Sequence, residues 1–134
     1  MIQKIALTAS ILLIAACAAK KIEGEGTESR EQIRAVIRQA MPEIKNCYDR
    51  ELPNNPKLEG KIVISFTVGD LGKVIDSKIK NSTLKNQNVH QCVVAQITKQ
   101  TFPQPPAKTT VVVDYPFVFS PNPAKTSEIP NSGN

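Results

Sequence analysis

The sequence predicts a small α+β domain: helix, strand, strand, helix, strand, folded as a three-stranded antiparallel sheet with two helices on one face. Three observations lead there. Apolar residues recur at intervals of three and four from Ile33 to Tyr48. Residues 60–69, 73–81 and 109–119 alternate between apolar and polar positions, and a second three-and-four stripe begins at Val89. The first and last patterns have the period of a helix, the middle ones that of a strand. Two amphipathic helices laid over one face of a short sheet cover all the apolar faces at once.

Ser29 is the expected N-cap of the first helix, with Glu31 and Gln32 in its first turn. The stripe runs Ile33, Val36, Ile37, Ala40, Met41, Ile44, Cys47, Tyr48. Pro42 lies inside it, removing a backbone donor and crowding the preceding turn. A kink near Ala40–Met41, or two abutting helices, is expected, and the in-phase resumption of the stripe favours the kink. Leu52-Pro53-Asn54-Asn55-Pro56 ends the element. In the next segment Ile62, Ile64, Phe66 and Val68 face one way and Lys61, Val63, Ser65 and Thr67 the other, which is a strand with one buried face. Gly69-Asp70-Leu71-Gly72 is a hairpin turn with glycines available for positive φ.

The second strand places Ile75, Ser77 and Ile79 on one face and Val74, Asp76, Lys78 and Lys80 on the other. A loop from Ser82 leads to a second helix, capped by Asn86 or Asn88, with the stripe Val89, Cys92, Val93, Gln96, Ile97. Phe102-Pro103 closes that helix, and Pro105-Pro106 forbids its continuation. The last strand alternates Val111, Val113, Tyr115, Phe117 and Phe119 with Val112, Asp114, Pro116 and Val118. Pro116 cannot donate to a ladder, which points to an edge position.

The N-terminus has a different character. Lys4 and the terminal amine carry positive charge, Ile5–Ile14 is mostly apolar, and Ala15-Ala16 precedes Cys17. The run is too short for a membrane span of about 20 residues and fits a secretory signal. Ile14-Ala15-Ala16-Cys17 resembles the lipobox of bacterial lipoproteins. That resemblance implies cleavage before Cys17 and a lipid on its thiol. The expected organisation is then a lipoprotein signal peptide over 1–16, a flexible tether over 17–28, the folded domain over 29–119 and a disordered tail over 120–134, rich in Pro, Ser and Asn. Ala18 follows the modified cysteine where an aspartate would favour retention in the inner membrane, so the expected location is the outer membrane, facing the periplasm. Lys20-Lys21 can add attraction to anionic head groups, about 1 kcal/mol each.

Seventeen Lys and Arg against twelve Asp and Glu give a net charge of +5, spread along the chain with no run longer than two. Nucleic acid is not an expected partner, because its binders need a basic stripe and usually stacking aromatics, and Trp is absent. Of three cysteines, Cys17 is assigned to lipid, leaving Cys47 and Cys92 as an even pair in an oxidising compartment. One lies on each helical stripe, and helices side by side on one sheet face bring their Cβ atoms within disulfide reach. The alternative is a metal site of Cys47, His90 and Cys92, for which no fourth ligand stands out.

No cofactor or catalytic set is expected. His90 is the single histidine and reads as a surface residue, and no Ser or Asp sits in a nucleophile motif. A cell-wall hydrolase or small-ligand carrier is the rival reading. It requires paired carboxylates across a cleft, and Asp70, Asp76 and Asp114, the acids of the strand region, are not expected to converge.

Several pieces then follow one another in order: Ile44-x-x-Cys47-Tyr48-x-x-x-Leu52; Pro56-x-Leu58-x-Gly60-Lys61-Ile62-Val63-Ile64-x-Phe66; Gly72-x-Val74; Ser82-Thr83-Leu84; Val89-x-x-Cys92-Val93; Phe102-Pro103-x-Pro105; and Tyr115-Pro116-Phe117-x-Phe119. From about Arg30 to Phe119 the chain resembles the C-terminal domain of the AgmX/PglI family, associated with gliding motility and itself similar to the TonB C-terminal domain. TonB C-terminal domains bind a segment of an outer-membrane receptor as an added strand, where backbone bonds give affinity and alternating side chains give selectivity. The resemblance implies a non-enzymatic protein-binding module or envelope scaffold. It implies that the last strand presents Val111, Val112, Val113, Asp114, Tyr115, Pro116 and Phe117 to an envelope protein or peptide. The chain departs from an energy transducer in lacking an uncleaved transmembrane helix and a long proline-rich spacer, so only the binding module is carried over. The sequence leaves the oligomeric state open.

Overall fold

The computed structural model describes residues 25–106, 108–122 and 127–128, with side chains from Ser29 to Asn122 except at position 107. The expected signal, Cys17 and most of the expected tether lie outside the described residues. The elements are α1 (Glu25–Asp49), β1 (Gly60–Val68), β2 (Val74–Ser82), α2 (Gln87–Thr98), β3 (Val111–Phe119) and a short β4 (Ser127–Glu128). Three nine-residue strands form the antiparallel sheet the sequence predicts, and the two-residue β4 extends it to the order β2-β1-β3-β4. Both helices contribute to a single core over the sheet.

α1 starts at Glu25, ahead of the expected cap Ser29, so the last residues assigned to the tether are helical. It then continues through Pro42 as one 25-residue helix, about 37 Å long at the usual rise. Of the two outcomes expected at Pro42, the less favoured one, two abutting helices, does not occur. Ser29–Gln32 are exposed, and contact with the core begins at Ile33. Beyond it Ile37, Ala40, Ile44, Cys47 and Tyr48 are buried on the predicted stripe.

β1 is the central strand and buries Ile62, Ile64, Phe66 and Val68. Its pairing with β3 is regular from Gly60↔Phe119 to Val68↔Val111. Its pairing with β2 is not. Val63 opposes Asn81 but Ile64 opposes Ile79, and Thr67 opposes Asp76 but Val68 opposes Val74, so Lys80 and Ile75 are extra residues. Each bulge changes the phase of the strand. Val74, expected to face outward with Asp76, therefore packs against the core, and Ile75, expected inward with Ser77 and Ile79, is 63% exposed. In the β1–β2 turn Gly72 has φ +76° and donates to the carbonyl of Gly69 at 2.9 Å. A Cβ at Gly72 would stand 2.2 Å from the carbonyl oxygen of Phe102.

Asn86 caps α2, its side-chain oxygen accepting from the Val89 N–H at 3.0 Å. Val89, Val93 and Ile97 are buried, and Cys92 is half-buried. Past the helix Phe102 turns back into the core, its ring 4.9 Å from that of Phe66. Its N–H donates to the Gly72 carbonyl at 2.8 Å, which ties this segment to the hairpin turn. Cys47 and Cys92 form the predicted disulfide between α1 and α2, with Cα atoms 5.7 Å apart.

A candidate partner-binding edge

β3 is built from β-branched and aromatic residues, and its inner face closes the core. Tyr115, Phe117 and Phe119 are buried, with Phe119 stacked on Tyr48 at 5.1 Å and Tyr115 and Phe117 also 5.1 Å apart. On the outer face Val112 is 67% exposed, while Asp114, Pro116 and Val118 are half-buried. One flank of the strand is satisfied by β1 throughout. The other flank pairs with β4 only at Phe117↔Glu128 and Val118↔Ser127. Among the described residues, Val111–Asp114 has no strand on that side. Phe117, the last residue of the expected edge, has Glu128 as its cross-strand partner. Ser127 and Glu128 lie within the segment expected to be a disordered tail.

The outer face carries one organised charge pair. Lys80, the extra residue of its bulge, donates to Asp114 Oδ2 across the central strand β1. The hydrogen bond from Lys80 holds the Asp114 carboxyl below its ordinary value, with a further pull from Ser65. Oδ1 is buried with no hydrogen-bond partner. The pair is half-exposed and contributes little net stability, about 0–1 kcal/mol. It neutralises the middle of the outer face and leaves Val112 as the exposed apolar residue on β3.

Around the disulfide, sequence reasoning missed a polar clasp. Glu51, just past α1, accepts from Asn86 Nδ2 at 3.0 Å and from Asn88 Nδ2 at 3.3 Å, joining the end of one helix to the start of the other. Arg50 reaches Cys92 Sγ at 3.0 Å. No local signal marks these contacts, because the partners lie more than thirty positions apart. His90 is half-buried rather than a free surface residue. Its Nε2 lies 2.8 Å from the Leu84 carbonyl oxygen and 2.9 Å from Ser82 Oγ, which itself donates to the same carbonyl. The cluster fastens the loop after β2 to α2.

Among the described residues, no group of three or more His, Cys, Asp or Glu side chains is placed to hold a metal ion. None of their helices is long and apolar enough to cross a membrane. A shallow groove lies between Glu59–Lys61, Thr83 and Val118–Ser120. It includes none of Asp70, Asp76 and Asp114, the carboxylates on which the hydrolase alternative depended.

No protein-family model and no curated protein matches the chain. Among solved structures it is similar to the TonB C-terminal domain of Helicobacter pylori, determined by NMR, at 22% identity and a TM-score of 0.44 over 73% of this chain and 95% of that one.

Proposed function

We propose that this protein is a lipid-anchored, non-enzymatic binding module of the bacterial envelope whose β3 edge receives a strand from an envelope protein. The observation that carries the reading is the outer flank of Val111–Asp114. It is a β-prone backbone edge with no strand beside it among the described residues, and Val113 packs its inner face against the core. An extended segment laid there gains backbone hydrogen bonds, and its alternate side chains meet Val112, Asp114 and Pro116 on the outer face. The ordered motifs that resemble the AgmX/PglI C-terminal domain support the same role and suggest an assembly of the gliding-motility or TonB-like kind. Anchoring rests on the Ala15-Ala16-Cys17 motif, with the lipid on Cys17 and the body facing the periplasm from the outer membrane.

The test is photo-crosslinking in cells from Val112, with identification of the product by mass spectrometry. A discrete envelope protein caught from Val112, and not from Arg30 on exposed α1, is the expected result. Absence of any product specific to Val112 would sink the reading. For the anchor, Cys17→Ser should release the protein from the membrane fraction and abolish the acylated N-terminal peptide.

A further inference from the structure

We propose that the end of the domain formed by the β1–β2 turn rests on the bilayer that holds its lipid, with Leu71 and Ile75 entering the interface. This inference rests on the Cys17 anchor given above. Three observations carry it: which end the chain enters, what that end exposes, and how far the anchor reaches.

The helices fix the first. The Thr83 N–H donates to the Lys61 carbonyl at 2.8 Å, so α2 begins beside the start of β1. It ends beside the turn, where Thr101 bridges to Lys73 and the Phe102 N–H donates to Gly72. α1 runs the opposite way. Cys47 is bonded to Cys92, and further along α1 Glu51 meets Asn88 and Asn86, which lie earlier than Cys92 in the sequence. Followed back from Cys47, α1 therefore heads for the turn, and the chain toward Cys17 leaves the domain at that end.

That end exposes apolar side chains the core does not use. Asp70 and Leu71 are the central residues of the turn closed by Gly69 and Gly72. Such positions favour Gly, Pro, Asn, Asp and Ser, yet Leu71 stands there 69% exposed. Ile75, the extra residue of the nearer bulge, is exposed a few positions on. Scattered apolar residues are ordinary surface, whereas a concentration at one end marks a contact. Lys73 and Lys99 are offset at this end by Asp70 and Asp76, so the contact is apolar and requires no charged lipid.

The reach is sufficient. Contact with the core begins at Ile33, and Glu25–Gln32 overhangs it by about 12 Å. Eight residue steps separate Glu25 from Cys17 and span at most about 28 Å. The tether outreaches the overhang, so the turn can descend to the bilayer while the lipid stays inserted. Two apolar side chains bind a bilayer weakly by themselves, but an anchored domain makes that contact intramolecularly, at a high effective concentration.

The experiment uses the acylated protein, purified from cells and placed in phosphatidylcholine vesicles. The chain has no Trp, so Leu71→Trp supplies a single emitter. Its emission is expected to fall by about half or more when the acyl chains of the lipid carry bromine, as for a residue held at the acyl boundary. Lys57→Trp, at an exposed position just ahead of β1 at the far end, should show no such loss. Ile75→Trp reads the same contact should Leu71→Trp fail to fold. No loss at position 71, or equal losses at 71 and 57, overturns the proposal while the anchor stands. Mass spectrometry of the N-terminal peptide decides the anchor separately: a protein without acyl chains on Cys17 removes the anchor, and this proposal with it.

Discussion

The hydroxyl of Tyr48 donates to the carbonyl oxygen of Leu58 at 2.6 Å, and Tyr48 and Leu58 are both buried. This bond fixes the segment between α1 and β1, where the chain reverses into the sheet. Tyr48→Phe keeps the ring against Phe119 but leaves the carbonyl without that donor, so it is expected to destabilise the protein by about 1–3 kcal/mol in urea unfolding. Burial, aided by the carboxylates of Asp49 and Glu59, also raises the Tyr48 phenol above its ordinary 10.0. Its folded value exceeds its unfolded one, so its contribution is complete below pH 10 and is lost as pH rises from there through the folded value. Unfolding midpoints measured on that alkaline limb should fall less steeply for Tyr48→Phe.

The disulfide closes a loop with a sequence separation of 45. Chain-entropy arithmetic for that length gives about 4 kcal/mol. Replacing Cys47 and Cys92 together by Ala is expected to lower the unfolding free energy by up to about this amount, a large share of the total for a small domain. Reductant should lower the midpoint of the unsubstituted protein toward that of the double variant and leave the double variant unmoved.

Gly72→Ala tests the hairpin turn. An alanine at φ +76° carries a penalty of about 1–2 kcal/mol, and its Cβ also collides with the Phe102 carbonyl oxygen. The thermal midpoint should drop, with faster amide exchange at Phe102 as the hydrogen bond between the two segments opens.

The Asp114 carboxyl is held below its ordinary 3.8, first by the hydrogen bond from Lys80. A lowered folded value means that its stabilisation is present above the unfolded value, near pH 4, and is lost as pH falls through the folded one. Lys80→Met removes the cause. The variant should be less stable at neutral pH by under about 1 kcal/mol, since both side chains are partly exposed, and should lose less than the unsubstituted protein on acidification. Urea midpoints measured across the acid range will show whether the two curves converge.

Val112→Lys places a charge on the exposed face of the open edge. Such charges discourage strand addition, whereas exposed substitutions outside packed regions alter stability by only about 0.5 kcal/mol. Capture of a partner, crosslinked in this variant from exposed position 110, should fall while the unfolding midpoint stays near that of the unsubstituted protein.

Periodicity recovered the helices, the long strands and the cysteine pairing because each of these is written locally or in parity. The stripe from Ile33 to Tyr48 and the alternation of β1 read directly into burial. The phase of β2 did not, since a bulge is fixed by the partner strand, and Ile75 and Val74 exchange roles without any change in local pattern. Ser29 is a good capping residue that the helix passes over, so a favourable local signal alone did not locate the start of α1. At the candidate edge, the proline at 116 and the valine run were legible, while the cover supplied by Ser127–Glu128 was not. A two-residue pairing leaves almost no periodic trace in a segment rich in Pro and Ser.

The position of the disulfide bears on how this body would carry a pull. Tension entering at Glu25 runs along α1 to Cys47, crosses the sulfur bridge to Cys92, and leaves through α2 toward β3. Residues 48–91, with β1 and β2 among them, lie inside the covalent loop and outside that backbone line of force. Under load α1 can unwind only as far as Cys47, and the backbone of residues 48–91 is spared extension while the bridge holds.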